Sequence, residues 1–459
     1  MTLAQLIGPE IAEMLKSGDF SGFRVLSQDF HAADVAEIVE RLPQEQQVLA
    51  FLAVDRARQP EVFDYLNPDS QTHLLENFKP DVLSHVLSEL PADSRTELLQ
   101  ELPGQVTRRL LEVLPADERK RTLALLEYHE NSAGRLMTPE FLHVPADATA
   151  ADVVAKVRKV GRDVETVYVI YVIDSGQRLI GTVSLRDIVI AQPEDKVSTF
   201  MTENVACVHT NDDRELALNK LREYDLVALP VVDQQQRLVG IVTFDDLSDV
   251  AEEEATEDIL KMHGVATQLD DYFGAPMLKK FRSRATVLVS LVLVSTFSVL
   301  IQQEYNALFT QLPLLAAYIT MLAASSGNVG TQSAGILIRA ISTPDFDRKR
   351  VMRIFGMEVL VGVLLAAAMA LISVLVVTIR GAEAQALHEH SIGEVALILG
   401  LAMLLGLLAA NTLGAALPLI MRRLKVDPAV AAGPFITTAA DILTVLIYFN
   451  VAHLVLLAM

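Results

Sequence analysis

The sequence predicts a multidomain membrane protein with an N-terminal α-helical solenoid, a tandem α/β repeat, a connecting helix and a five-helix transmembrane domain. Three observations predict it. Residues 1–276 hold 49 Asp and Glu against 25 Lys and Arg, whereas residues 277–459 hold 9 against 13. Leu-Pro pairs recur every twelve residues in the first part. Apolar runs of about 20 residues, the length that a membrane helix needs, fill the last part.

Composition excludes several classes of function. The net charge of −20 argues against nucleic acid as a partner and suits cations. The single cysteine, Cys207, excludes an intrachain disulfide and a cysteine-based zinc cluster. The N-terminus shows neither a basic nor an apolar signal-peptide region. No nucleophile–base or metal-catalysis constellation is visible, so we do not expect an enzyme.

The first predicted domain, residues 1–130, is helical. Leu90-Pro91, Leu102-Pro103 and Leu114-Pro115 each open a short amphipathic segment, and ELPADSRTELLQ closely resembles VLPADERKRTLA. Repeated short helices of this kind stack into a solenoid. Such a domain can serve as a scaffold alone or can carry part of a sensor, and the sequence leaves both interpretations open.

The second predicted domain, residues 131–250, contains one module twice. Each copy begins with Met-Thr and ends with a strand–turn–strand–helix pattern. The endings GTVSLRD and GIVTFDD resemble CBS domains, in which a Ser or Thr and an Asp three residues later contact the ribose of a nucleotide. The resemblance places Ser184 with Asp187, and Thr243 with Asp246, at those positions. Many CBS pairs bind no nucleotide, so binding of ATP stays open.

The third predicted region, residues 251–276, continues an acidic run. Eight carboxylates and no base lie between residues 245 and 258. If this run is helical, most of the carboxylates share one face, where like charges one turn apart repel. One interpretation is a solvated acidic face. The other is a cation-binding segment that connects the repeat to the membrane.

The fourth predicted domain, residues 277–459, contains five candidate spans. Basic residues precede the first span and occupy two alternate loops, which predicts cytoplasmic N-terminal domains and a C-terminus outside. We therefore expect a multi-pass protein of the inner (plasma) membrane. The candidate spans are residues 284–301, 312–340, 354–379, 392–421 and 429–458.

A lone carboxylate, Asp441, lies near the middle of the fifth span. An ionised Asp there costs about 2.5–3.5 kcal/mol, and such residues usually face a bundle interior or a water-filled path. The alternative is an Asp that only hydrogen-bonds a neighbouring hydroxyl. We expect Gly433-Pro434 to loosen the backbone before it, and we expect the glycines near Asn328 and Gln332 to interrupt the second span. Carbonyl and carboxylate oxygens would suit Mg²⁺, which keeps much of its water.

Four stretches together resemble the MgtE family of magnesium channels. They are SAGRLMTPE (132–140), EEEATEDI (252–259), SGNVGTQSA (326–334) and VDPAVAAGPFITTAAD (426–441). The resemblance covers essentially the whole chain and implies an N domain, tandem CBS domains, a plug helix and five spans. It also implies a homodimer with one central pore, held closed when cytosolic Mg²⁺ bridges acidic residues.

The resemblance also assigns residues. Asp441 is the pore carboxylate and Asn328 the amide of the selectivity region. The remaining pore residues are Gly327, Gly433, Pro434 and Thr438. The Mg²⁺-sensing residues are Asp213, Glu215, Asp225, Asp246, Asp249, Glu254, Glu257 and Asp258. The chain departs from the family pattern at Ser326, Ala432 and Thr444. In the N domain the candidate sensing acid is Asp81, whose neighbour one turn later is His85.

We therefore expect a dimeric, Mg²⁺-selective channel that imports Mg²⁺ and is closed by cytosolic Mg²⁺. One alternative is a secondary transporter of divalent cations, in which Asp441 or Glu358 carries a coupling proton or Na⁺; the sequence shows no inverted repeat to support it. Another is a membrane-anchored sensor that conducts nothing. The expected partners are Mg²⁺, the lipid bilayer and a second copy of the chain.

Overall fold

The computed structural model describes residues 3–265, 276–341, 348–381, 391–431 and 433–458. The chain forms two compact units, Met1–Ala251 and Glu252–Met459. The first unit holds the helical N domain and a pair of three-stranded sheets, and the second holds long apolar helices. This arrangement confirms the helical N domain, the tandem α/β repeat and the apolar helices of the predicted fold class.

Short helices build the N domain. The prolines of the three Leu-Pro pairs each occupy an N-cap position. Elsewhere Asn67 Oδ1 accepts a hydrogen bond from Ser70 N at 2.8 Å, and Pro68 supplies the first helical residue. The helices are α1 (Leu3–Ser17), α2 (Phe20–Asp29), α3 (Ala32–Arg41), α4 (Gln44–Ala53), α5 (Gln59–Asp64), α6 (Pro68–Asn77), α7 (Pro80–Glu89), α8 (Ala92–Glu101), α9 (Gly104–Val113) and α10 (Ala116–Leu126), with a 3₁₀ turn at Arg56–Arg58.

One continuous apolar core joins these helices. Phe51 lies at its centre, with ring centroids 6.1 Å from Phe63 and 5.1 Å from Phe78. Arg95 is buried beside this core, donating to Leu87 O at 3.0 Å and pairing with Glu118 at 2.7 Å. Its guanidinium therefore satisfies carbonyls at the end of α7, which fixes the stacking of neighbouring repeats.

The α/β part contains two sheets of the same topology. Each has a short first strand parallel to the second, which is antiparallel to the third. The first repeat comprises α11 (Ala133–Leu136), β1 (His143–Pro145), α12 (Ala150–Val160), β2 (Val169–Ile173), β3 (Leu179–Ser184) and α13 (Leu185–Ile190), followed by a 3₁₀ turn at Val197–Thr199. The second comprises β4 (Val208–His209), α14 (Arg214–Glu223), β5 (Ala228–Val232), β6 (Leu238–Thr243) and α15 (Phe244–Met262).

The Met-Thr pair at the start of each repeat contacts the sheet of the other repeat. Thr138 bridges to Ile241 of β6, and Thr202 bridges to Thr182 of β3. Met137 packs where a Cβ on Gly240 would stand, with its Sδ 2.7 Å from that position. Met201 packs in the same way against Gly181, where its Sδ lies 2.8 Å from the position that a Cβ would take. Each repeat thus completes the sheet of the other, so the two halves form one module.

The second unit continues α15 and then consists of long helices. They are α16 (Met277–Glu304), the short α17 (Asn306–Gln311), α18 (Leu314–Ile341), α19 (Arg348–Gly381), α20 (Ile392–Arg423) and α21 (Pro434–Ala458), with a 3₁₀ turn at Pro428–Ala431. Among the described residues, α16, α19, α20 and α21 are long and apolar enough to cross a membrane. The polar and small residues of 325–333 lower the hydropathy of α18, so the count of five spans stays a prediction.

Helix α20 is the centre of this bundle and packs against α18, α19 and α21. Glycines allow the close crossings. Gly414 contacts the main chain of Gly330 in α18, and a Cβ on Gly406 would lie 2.9 Å from Thr444 Cγ2 in α21. By contrast, the most apolar stretch of α16 has no residue buried within the chain.

Two local expectations were wrong. Helix α18 runs without a break through Gly327 and Gly330, because these glycines provide close helix contacts instead of a turn. Helix α21 begins at Pro434, not at residue 429, because Gly433 adopts a left-handed φ of 54° immediately before it. Gly433-Pro434 therefore starts the helix and does not loosen it from within.

Candidate functional site

The carboxylate of Asp441 lies two turns into α21. The side chain is half-buried. Its Oδ1 atom is buried and accepts no hydrogen bond from the described residues. A carboxylate oxygen without a donor is costly in an apolar bundle, so a ligand that brings positive charge or hydrogen-bond donors would stabilise it.

Small residues and hydroxyl groups surround this carboxylate. A Cβ built on Gly327 of α18 would lie 3.5 Å from Asp441 Oδ1 and 2.8 Å from Thr437 Cγ2. The hydroxyls of Thr331 and Thr437 meet at 3.3 Å, and Thr438 Oγ1 donates to Pro434 O at 2.8 Å. Asp441 thus faces the main chain of α18 next to hydroxyl oxygens, a set of ligands that hard cations prefer.

Asn328 and Gln332 lie elsewhere on α18. Both side chains are exposed on the surface of the chain, whereas the neighbouring Gly327 is buried. The structure therefore brings Gly327 to Asp441 and turns the predicted selectivity amide outward. Because α18 is continuous, its main-chain carbonyls remain in the helix and are not released as ligands.

A second polar group lies where α15 ends next to the start of α21. Lys261 Nζ lies 2.6 Å from Glu257 Oε1 and 2.8 Å from Asp427 Oδ2. Asp427 Oδ1 in turn accepts a hydrogen bond from Ala429 N at 2.9 Å. Gly433, predicted as a pore residue, has no room for a side chain because the carbonyl of Met262 occupies that position.

The charges of this second group depend on one another. Burial lowers the pKa of Lys261, but the hydrogen bonds to Asp427 and Glu257 outweigh it and raise the pKa above its ordinary value. Burial, together with the charge of Asp427, raises the pKa of Asp258. The positive charge of Lys261 thus reduces the repulsion among the carboxylates of Glu257, Asp258 and Asp427.

A third group, named the cytoplasmic cluster after the predicted location of the N-terminal domains, comprises Asp93, Glu165 and Asp246 in the first unit. Burial and then the charges of Asp246 and Asp245 together raise the pKa of Glu165 to about 7. Burial also raises the pKa of Asp246 to about 6, although Thr243 Oγ1 donates to it at 2.5 Å. The pKa of Asp93 is raised well above its ordinary range by burial and then by Asp246 and Glu165.

Further carboxylates act on this cluster, since the charge of Asp64 also raises the pKa of Glu165. Asp64 and Asp249 line one cleft together with Ser94. Burial raises the pKa of Asp64, opposed by a hydrogen bond from Ser94 and assisted by the charge of Asp245. Carboxylates of the N domain and of the α/β module are therefore held close together, and their mutual repulsion favours any cation that can enter.

Sequence reasoning missed Asp64, Asp93 and Glu165. It proposed Asp81, which is exposed and whose neighbour His85 hydrogen-bonds Arg56 O at 2.8 Å. The repeat offered one signal, since Asp93 and Asp117 follow the same Pro-Ala pair. Asp93 is buried and Asp117 is exposed, so the repeat position alone could not separate them.

The remaining predicted sensing residues are spread out. Asp213 caps α14 and accepts a hydrogen bond from Glu215 N at 2.9 Å. Asp225 has a left-handed φ of 49°, and Glu254 lies midway along α15. In the described part of the chain no three Asp, Glu, His or Cys side chains are arranged to hold one metal ion.

The two Ser/Thr–Asp pairs of the repeats have the same hydrogen bond in different surroundings. Ser184 Oγ donates to Asp187 Oδ2 at 2.6 Å, and Asp187 is exposed. Thr243 is buried, and its partner Asp246 belongs to the cytoplasmic cluster. The first pair is therefore accessible to a ligand such as a ribose, and the second is surrounded by carboxylates.

Comparison with known sequences decides the family. The family model for divalent cation transporters matches residues 319–451, the MgtE intracellular N domain matches 30–131, and CBS domains match 133–194 and 197–253. The magnesium transporter MgtE of Thermus thermophilus is 34% identical over 457 residues, which is 99% of both chains. The chain belongs to the MgtE family of magnesium transporters. The MgtE of Enterococcus faecalis is 33% identical over 72% of this chain and 70% of its own.

Solved structures of two related proteins each cover about half of this chain. The cytosolic domain of the Mg²⁺ channel MgtE in complex with ATP is 36% identical, covers 52% of this chain and 97% of its own, and gives a TM-score of 0.50. The soluble part of a magnesium transporter is 28% identical, covers 55% of this chain and 99% of its own, and gives a TM-score of 0.52. These findings confirm the predicted resemblance, the tandem CBS domains and the assignment to MgtE-type transporters, which are not enzymes.

Proposed function

We propose that the chain is a dimeric, Mg²⁺-selective channel that imports Mg²⁺ and is closed by cytosolic Mg²⁺. One observation carries the proposal. Asp441 Oδ1 is buried in a helix of membrane-spanning length and takes no hydrogen bond from the described residues, while Gly327 leaves space in front of it. A hydrated Mg²⁺ supplies both the positive charge and the hydrogen-bond donors that this oxygen needs.

The cytoplasmic cluster and the Lys261 group support closure by Mg²⁺. No described group of three carboxylates is arranged as a ligand cage, so Mg²⁺ would be held by one or two carboxylates and its own water. Each ion would replace repulsion among Asp93, Glu165 and Asp246 by attraction. Several weak sites together can supply the roughly 5.5 kcal/mol that moves a two-state gate from mostly open to mostly closed.

Orientation and assembly follow the charge and the exposed surface. Lys279, Lys280, Arg282 and Arg284 precede the most apolar part of α16, which favours a cytoplasmic start and a C-terminus outside the inner (plasma) membrane. Helix α16 leaves its apolar side chains uncovered, so lipid or a second copy of the chain would cover them. A two-fold axis requires the same surface from both copies.

We also propose that ATP binds the first CBS repeat. The cytosolic domain of a related MgtE has been solved in complex with ATP. In this chain Ser184 and Asp187 stand at the end of β3 with the carboxylate exposed. A carboxylate in that position can accept hydrogen bonds from ribose hydroxyls.

The test is electrical recording of the purified protein in planar bilayers with Mg²⁺ as the sole permeant cation. We expect unitary currents that disappear when Mg²⁺ on the cytoplasmic side is raised to the millimolar range. Flux that requires a proton or Na⁺ gradient and shows no unitary current would contradict a channel and favour coupled transport. Light scattering of the same sample should give the mass of a dimer.

A further inference from the structure

Three polar side chains meet where α18, α19 and α20 cross inside the apolar unit. They are Ser333, Glu358 and Asn411, and none of them contacts Asp441 in the structure. Asn411 is 1% exposed and Ser333 is 2% exposed. Polar groups inside a membrane bundle must satisfy one another, because lipid offers no hydrogen bonds.

Three short contacts link them. Ser333 Oγ lies 2.6 Å from Asn411 Oδ1 and 3.1 Å from Glu358 Oε2. Asn411 Nδ2 donates to the main-chain carbonyl of Glu358 at 2.9 Å. This last bond fixes the orientation of the amide, since the opposite orientation would place two acceptors against each other.

The hydroxyl of Ser333 therefore faces two acceptors. Asn411 Oδ1 can only accept, and Ser333 Oγ donates to it and toward Glu358 Oε2. Ser333 on α18 is thus tied to both α19 and α20, and Asn411 ties α20 to the main chain of α19.

Glycines hold the three helices too close for the contacts to rearrange. A Cβ on Gly362 would overlap the amide of Asn411, and Gly414 already touches the main chain of Gly330. Ser333 is six residues after Gly327 on α18, so it lies on a different face from the one that meets α21. Fixing Ser333 against α19 and α20 therefore fixes the rotation of the face that carries Gly327 and Thr331.

We propose that the Glu358 carboxylate accepts a hydrogen bond in a latch with Ser333 and Asn411, and that this latch positions α18 against Asp441. The inference rests on the proposed channel function, since it names residues that set the geometry of that site. Glu358 is a positioning residue here, and it neither touches nor carries the permeating ion. A displacement of about 1 Å at such a site can change a rate by up to a hundredfold.

The test compares Glu358→Gln with Glu358→Leu. Glutamine keeps an oxygen where the latch needs an acceptor, so this variant should keep Mg²⁺ flux within about twofold of wild type. Leucine supplies no acceptor, and it should lower Mg²⁺ flux by about tenfold and raise the permeability of Ca²⁺ relative to Mg²⁺.

Ser333→Ala and the matched Ser373→Ala separate positioning from general destabilisation. Ser373 is 1% exposed but donates only to Ala370 O in its own helix, at 2.8 Å. We expect Ser333→Ala to shift the Ca²⁺ to Mg²⁺ permeability ratio in the same direction as Glu358→Leu, and Ser373→Ala to leave it unchanged. Ser333→Ala also removes a single oxygen, so it tests the latch even if Glu358→Leu does not fold.

Two results would overturn the latch. One is Glu358→Gln being as impaired as Glu358→Leu while Glu358→Asp is active, because the charge would then be what matters. The other is an unchanged permeability ratio in Ser333→Ala. The proposed function fails separately, through a wild type that shows no Mg²⁺ current.

Discussion

Asp441 and the cytoplasmic cluster place carboxylates in opposite surroundings. Asp441 stands beside glycine and threonines. Asp93, Glu165 and Asp246 stand beside one another, and each charge makes ionisation of the next less favourable. One unit isolates a carboxylate in an apolar bundle, and the other crowds several together.

Under the proposed function, the difference explains how one residue type can serve passage and sensing. An isolated carboxylate attracts a cation, yet its structure does not depend on the cation remaining there. A crowded group is held together against repulsion, so its packing becomes more stable when a cation binds. The first arrangement suits an ion that must leave again, and the second suits an ion whose concentration must be reported.

The largest expected effect comes from removing the isolated carboxylate. Asp441→Ala should lower Mg²⁺ flux at least about a hundredfold, because the carboxylate that is proposed to attract the ion is lost. Asp441→Asn should be intermediate at best, since it keeps an oxygen and loses the charge. Mg²⁺ uptake into proteoliposomes checks this.

The control for that prediction is Glu394→Gln, in the first turn of α20, where the carboxylate interacts with Ser391 at 3.0 Å. We expect nearly normal uptake from this variant. Unchanged uptake in Asp441→Ala would show that Asp441 does not face the path of the ion.

The next effect tests the crowded carboxylates. Neutralising Asp246, Asp249, Glu254, Glu257 and Asp258 together should leave conduction intact and abolish closure by millimolar-range Mg²⁺. Current recordings at several Mg²⁺ concentrations measure this, and protection of α15 from protease by Mg²⁺ should vanish as well. If the variant closes at the wild-type Mg²⁺ concentration, the acidic run is a solvated face and the sensor lies elsewhere.

A smaller effect concerns pH in Mg²⁺-free buffer. Glu165 and Asp246 have pKa values of about 7 and 6 in the folded unit, above their ordinary values, so the folded state binds more protons than the unfolded state. Their contribution is therefore favourable at low pH and is lost as pH rises through these values. The melting temperature should fall between about pH 5.5 and 7.5, and Mg²⁺ should restore it.

Asp93→Asn and Asp117→Asn form the matched pair for this prediction. Asp93 is buried in the cluster, whereas Asp117 occupies the equivalent repeat position and is exposed. Asp93→Asn should flatten the dependence of the melting temperature on pH, and Asp117→Asn should leave it as in the wild type. Equal slopes in both variants would show that the cluster does not control this stability.

The smallest expected effect separates the two CBS repeats. Asp187→Ala should weaken ATP binding by about tenfold, as expected for a lost hydrogen bond to a charged group, without changing Mg²⁺ flux in the absence of nucleotide. Thr243→Ala should leave ATP affinity unchanged, because Thr243 is buried beside the cytoplasmic cluster. Calorimetric titration measures both. A loss of equal size in the two variants would contradict the assignment of ATP to the first repeat.

Local sequence patterns predicted the helical N domain, the paired repeats and the place of Asp441 in a long apolar helix, because each leaves a signal within a few residues. The continuity of α18 could not be predicted, since glycine weakens a helix in water but permits close packing in a bundle. Glu165 gave no signal and the repeat did not separate Asp93 from Asp117, because the proximity of Glu165 and Asp93 depends on how distant elements fold together. The same holds for Glu358, whose partners lie on two other helices.

The contact between Gly433 and Met262 has a mechanical consequence. Gly433 places no side chain between the end of α15 and the start of α21, so main chain meets main chain. A side chain could absorb a small displacement by changing rotamer, but a peptide group cannot. A shift at the end of α15 must therefore move the first turn of α21 by a similar distance. Any substitution at Gly433 would push the end of α15 and the start of α21 apart, while the carboxylate of Asp441 would remain.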